Sequence, residues 1–171
     1  MSGIILVGFM GSGKSTVGKQ LAEALHCEFI EMDQEIERKT NQTIPEIFAL
    51  KGENFFRKTE FQVLTESIQK KGVVATGGGV VTFDKSKAFL TRESPVFYLK
   101  GHVDTLFSRI VNDQHNKRPL ATDKTKQEIA EMVSQRETLY EEVATHTIMI
   151  DDLSVSDIVS IIMKEIKGRR L

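Results

Sequence analysis

Nine consecutive residues, Gly8-Phe9-Met10-Gly11-Ser12-Gly13-Lys14-Ser15-Thr16, carry the clearest chemistry in the chain. They read G-x-x-x-x-G-K-[ST], the spacing of a loop whose backbone N–H groups cradle phosphates. The glycines free the backbone to turn successive N–H groups inward, and the N-terminus of a following helix adds partial positive charge. In such a loop Lys14 reaches the β- and γ-phosphates and the Ser15 hydroxyl ligates Mg²⁺. Gly11, Ser12, Gly13 and Thr16 complete the expected nucleotide contacts. The chemistry in view is phosphoryl transfer from a nucleoside triphosphate.

Further candidates lie downstream, each with two readings. Asp33 follows a short apolar run and could take a proton from a substrate hydroxyl, or it could cap a helix. Glu31, two residues earlier, could hold the metal through water. Arg57 could bind an anionic substrate; the commoner fate is an exposed pair with Glu60 three residues on. Gly77-Gly78-Gly79 directly after an apolar run suits a wall that a ligand approaches closely, the alternative being a loose turn. Arg118 falls in a polar stretch from 112 to 124, a lid or a solvated basic loop. Arg136 by itself reads as a surface charge. No acidic residue ends the run Val73-Val74-Ala75-Thr76, so acidic help for Mg²⁺ must come from elsewhere, and a mechanical ATPase is disfavoured.

The elements that must position these residues follow from periodicity. Ile4-Ile5-Leu6-Val7 is a buried parallel strand, and Val17, Leu21 and Leu25 open a helix behind the loop. Further strands are expected at 28–31, 73–76, 96–99 and 146–150. Helices are expected at 34–38, from Ile44 to Gly52, from Phe55 onward, and at 84–90, 103–111, 126–144 and 155–167. Strands alternating with helices mean a mostly parallel sheet covered on both faces. The reading is a single α/β P-loop domain over 1–171, with a helical insertion at about 32–62 and a lid at about 112–124.

The totals bound the rest. A chain of 171 residues suits one core, and a net charge of −1 lacks the basic excess that nucleic-acid binding wants. One cysteine, Cys27, allows neither an internal disulfide nor a thiolate zinc cluster. No apolar run reaches transmembrane length and no signal peptide stands before the first strand, so no membrane partner and a cytoplasmic home are expected. A monomer is the default, because no separate interface stripe is visible.

Taken in order, Gly8 to Thr16, Asp33, Phe56-Arg57-Lys58-Thr59-Glu60, Gly77-Gly78-Gly79, Arg118-Pro119-Leu120 and Arg136-Glu137-Thr138-Leu139-Tyr140 resemble the shikimate kinase family over nearly the whole chain. The resemblance implies a five-stranded parallel sheet of the nucleoside-monophosphate-kinase style, with ATP and shikimate as substrates and Mg²⁺ as cofactor. It implies that Asp33 serves the shikimate 3-hydroxyl as general base. Arg57 and Arg136 match the pair that grips the shikimate carboxylate, Gly78 the backbone contact, and Arg118 the lid arginine over the phosphates. Two positions depart from the family's habit: Glu31 stands where Asp is common, and Thr138 where Pro is frequent. The 151–154 stretch is expected near adenine by the same analogy. The alternatives are a gluconate-type kinase on this scaffold and a regulatory ATP-binding module.

Overall fold

Four apolar residues in a row cannot alternate between core and solvent, so Ile4–Val7 has to be covered on both faces. The computed structural model, which describes residues 3–93, 95–113 and 124–168, meets that demand. Strand β1 (Ile4–Val7) is buried at every position. It runs parallel to β3 (Val73–Ala75) on one side and β4 (Val96–Lys100) on the other. β2 (Phe29–Glu31) and β5 (His146–Met149) close the two edges, giving the order β2-β3-β1-β4-β5.

Register decides where chemistry can gather. Leu6 pairs with both Ala75 and Phe97, and Glu31 pairs with Ala75. The carboxyl ends of β1, β2 and β3 therefore finish level, and the segments after them open into one crevice, where open α/β sheets hold ligands. After β1 comes the phosphate loop, after β2 comes Asp33, and after β3 comes the triple glycine.

Helix α1 (Lys14–Leu25) begins at Gly13, whose φ of 91° lies in the left-handed region that favours glycine. α1 packs against the last helix, α7 (Val155–Gly168), which buries Ile158, Val159, Ile162 and Ile166. Burying each such side chain is worth about 1.5–3 kcal/mol as an upper bound. α4 (Asp84–Leu90) and α5 (Val103–Asn112) pack against α6 (Lys126–Val143). No helix among the described residues is long and apolar enough to cross a membrane.

Between β2 and β3 stand α2 (Met32–Thr40) and α3 (Ile44–Gln69). Thr43 and Glu46 form a reciprocal capping box with Pro45 in the first turn, a strong local start signal. As expected, the first helical stretch ends at Gly52, whose φ 82°, ψ 170° is not helical; a second stretch runs on from this kink to Gln69, and α3 comprises the two. The rings of Phe48 and Phe56 meet across the kink at 4.7 Å, so packing holds together what the glycine interrupts. α2 starts earlier than the apolar spacing suggested. Its N-cap is Glu31, so Asp33 sits inside the first turn and the capping reading of Asp33 falls.

Candidate active site

At the nucleotide end one short segment organises itself. Lys14 Nζ donates to the carbonyls of Gly8 (2.7 Å) and Phe9 (3.0 Å), drawing the loop into a ring around its ammonium. Ser12 is buried beneath, with its hydroxyl 3.4 Å from the same nitrogen. The Ser15 hydroxyl donates to the Glu31 carboxylate, which brings two hard oxygen ligands together at the mouth of the loop. A hydroxyl and a carboxylate of this kind fit Mg²⁺, which takes oxygen donors and keeps several waters. Arg109, from the end of α5, donates to the Gly11 carbonyl at 3.3 Å and adds a second cation to the loop. Nothing in the spacing of Arg109 distinguishes it from an ordinary helix charge.

The other end of the crevice is assembled from distant pieces. Arg57 and Glu60 do pair, Nη1 donating to Oε1 at 2.8 Å, but the expected surface pair is a buried one. Glu60 is 1 % exposed and the Arg57 side chain 12 %. Burial pushes the Glu60 carboxyl up to about 7 against the pull of Arg57, and the charge of Asp33 adds to the rise. Arg57 also rests its guanidinium 5.1 Å from the Phe56 ring. Its Nε is buried with no hydrogen-bond partner among the described residues. That nitrogen forms a long ion pair with the Glu53 carboxylate at 3.6 Å.

The triple glycine is a wall in the steric sense. A Cβ on Gly79 would lie 2.4 Å from Arg57 Nη2, and one on Gly77 would lie 3.0 Å from oxygens of both Asp33 and Glu60. Gly78 packs against the phosphate loop, its Cβ position 3.5 Å from Met10 N. These contacts place Asp33, Arg57 and Glu60 along one surface, with Gly78 joining it to the nucleotide end.

Arg136 is no plain surface charge. It is half-buried, with its guanidinium 5.6 Å from the ring of Phe9, itself part of the phosphate loop. One turn along α6, the Tyr140 hydroxyl donates to the Gly78 carbonyl. α6 is tied down from below by Lys100, which pairs with Glu137 and with Glu141, the latter at 2.7 Å. The 151–154 stretch has a structural duty: Asp151 accepts from the His102 backbone and the Thr105 hydroxyl, satisfying the start of α5.

Of the predicted site residues, Lys14, Ser15, Asp33, Arg57, Gly78 and Arg136 all border this crevice. Arg118 and the rest of the expected lid from 114 to 123 lie outside the described residues. The sequence reading missed Glu60 as a buried group and Tyr140 as a polar one. Both carried a faint signal in helical spacing, Glu60 three residues after Arg57 and Tyr140 four after Arg136.

Comparison with known proteins agrees along the whole chain. The shikimate kinase family model matches residues 10–167. The chain is 45% identical to a shikimate kinase of Staphylococcus haemolyticus over 143 residues, 84% of this chain and 82% of that one. It is 39% identical to the enzyme of Staphylococcus aureus over 167 residues, 98% of this chain and 95% of the relative. Among solved structures, a shikimate kinase from Acinetobacter baumannii in complex with shikimate superposes with a TM-score of 0.90 at 40% identity, covering 100% of this chain and 96% of that one. The crevice built from the phosphate loop, Asp33 and the glycine wall thus sits in a sequence and a backbone that agree on one ancestry, and the chain belongs to the shikimate kinase family.

Proposed function

We propose that this protein transfers the γ-phosphoryl group of ATP to the 3-hydroxyl of shikimate, with Asp33 as general base and Arg57 and Arg136 gripping the shikimate carboxylate. The observation that carries the acceptor assignment is the buried Arg57 guanidinium, which packs against Gly79 of the glycine wall and whose Nε makes no hydrogen bond among the described residues, meeting the Glu53 carboxylate only at 3.6 Å. A buried donor without a hydrogen bond costs free energy, and an anionic oxygen from a substrate would recover it. Glu60 engages Nη1, and the planar fork keeps further N–H donors for a substrate carboxylate.

The reaction moves few atoms. The shikimate oxygen bonds to the γ-phosphorus, the bond to the β–γ bridging oxygen breaks, and the hydroxyl proton passes to the Asp33 carboxylate. Lys14 shifts from the loop carbonyls to the β- and γ-phosphates, and the loop N–H groups hold the non-bridging oxygens. Mg²⁺ arriving with ATP would neutralise phosphate charge, with Ser15 and Glu31 as its protein-side oxygens. Arg118 is assigned to the phosphates on its sequence position alone. The rate enhancement then comes from positioning and electrostatics rather than covalent catalysis. A monomer acting in the cytoplasm is part of the same reading.

The test is ADP release from purified protein with Mg-ATP, with shikimate, gluconate and nucleoside monophosphates offered in parallel. Stimulation by shikimate alone is expected. Stimulation by gluconate or a nucleotide instead would keep the phosphate-loop chemistry and overturn the acceptor assignment. ATP binding with no stimulation by any acceptor would favour a regulatory module.

A further inference from the structure

The three carbonyls of the glycine wall are held in different ways. The Gly77 carbonyl accepts from Val80 N at 3.2 Å, and the Gly79 carbonyl from Thr82 N at 3.0 Å and the Thr82 hydroxyl at 2.6 Å. Those anchors are local, made by the single 3₁₀ turn at Val80–Thr82. The Gly78 carbonyl accepts from the hydroxyl of Tyr140, 62 positions away in the chain. Tyr140 is fully buried, and its ring stacks on Tyr98 at 5.0 Å, so the phenol has little freedom to swing.

A peptide unit is planar and trans, so fixing the Gly78 carbonyl also fixes the direction of the Gly79 N–H. It fixes the Gly79 Cα as well, against which the Arg57 guanidinium packs. Glycine peptides have a broad choice of conformations, and three in a row would otherwise spread over many. The same phenol stands one helical turn from Arg136, whose charge acts on it against the upward push of burial. Tyr140 therefore touches the support of both arginines that the acceptor reading uses.

We propose that Tyr140 is a positioning residue: its hydroxyl locks the 78–79 peptide to α6, so that the glycine wall, Arg57 and Arg136 meet the acceptor as one preset surface. This inference rests on the shikimate reading of the site. It implies that loss of the hydroxyl harms acceptor recognition selectively, because the phosphate loop holds its own shape through Lys14.

The experiment is steady-state kinetics and thermal melting of wild type, Tyr140→Phe and Tyr98→Phe, with shikimate binding measured by calorimetry. Tyr98→Phe removes the other hydroxyl of the same ring stack and leaves the glycine wall alone. The expected result is a rise of about tenfold in the KM and Kd for shikimate in Tyr140→Phe, as a buried carbonyl loses its donor. Its KM for ATP should stay unchanged, and Tyr98→Phe should match wild type in both. An unchanged KM and Kd for shikimate in Tyr140→Phe would overturn the positioning role. Equal losses toward ATP and shikimate, or the same shikimate defect in Tyr98→Phe, would reduce Tyr140 to core packing and also overturn it. Binding by calorimetry decides the matter at low temperature should Tyr140→Phe melt early. A wild type that ignores shikimate would instead remove the acceptor reading itself.

Discussion

The two ends of the crevice are built on opposite plans. The nucleotide end is one contiguous segment, Gly8 to Thr16, whose lysine bonds to carbonyls five and six residues away. The acceptor end collects Asp33 from α2, Arg57 and Glu60 from α3, three glycines from the end of β3, and Arg136 and Tyr140 from α6. A local site keeps its geometry wherever a strand feeds a helix. A composite site exists only while several elements hold their packing. Damage at the first should therefore stay confined to nucleotide handling, whereas damage at the second should spread among its members.

The largest expected effect is at the atom that would receive the proton. Asp33→Asn should lower kcat by about 10²–10⁴-fold, the usual range for a general base, with ATP affinity by calorimetry unchanged. Turnover near the wild-type rate would take Asp33 out of that role.

Next comes the wall. Gly79 has φ −95°, so alanine fits its backbone without strain, yet the new methyl would press on the Arg57 guanidinium. Gly79→Ala should raise the KM for shikimate by about 10- to 100-fold through loss of charge-assisted contacts, and leave the KM for ATP alone. A parallel rise for ATP would erase the contrast between the two ends. Arg57→Lys keeps the charge and loses the fork, so a rise of about tenfold in the KM for shikimate is expected.

A smaller effect should appear in the pH dependence of stability. Burial raises the Glu60 carboxyl from its ordinary 4.5 to about 7, so the folded protein holds this proton more tightly than the unfolded chain. That contribution is full below about pH 4.5 and is lost as pH rises through about 7. Glu60→Gln should flatten the melting temperature over that window, and an unaltered slope would show that another group titrates there.

The smallest effect belongs to a pair remote from both ends. Lys39 and Glu66 meet at 2.6 Å on the surface between α2 and α3. Lys39→Ala should cost less than about 1 kcal/mol and leave both KM values in place, as exposed ion pairs do.

How much of this was legible varies by element. The helix start at Ile44 and the phosphate loop feeding α1 are written in adjacent letters, and both formed as read; the capping box of Thr43 and Glu46 went unread. The stop at Gly52 was legible too, because a glycine with positive φ interrupts a helix; that the two stretches stay packed across the kink shows only in the contact between Phe48 and Phe56. The Arg57–Glu60 pair was visible in its spacing, but spacing says nothing of burial, and burial is what moves Glu60.

The sequence alone determined the parallel α/β class, the phosphate loop with Lys14 and Ser15, and, by likeness, which acidic and basic residues to watch. The phosphate loop depends on neighbours within a turn or two, where the covalent chain itself sets distance, and the class on the order of local periodicities along the chain. Tertiary structure alone decided that Arg136 lies over Phe9, that Tyr140 reaches Gly78, and that Glu60 is enclosed. Those contacts join residues tens of positions apart, and their distances come from strand register and helix packing rather than from chain connectivity.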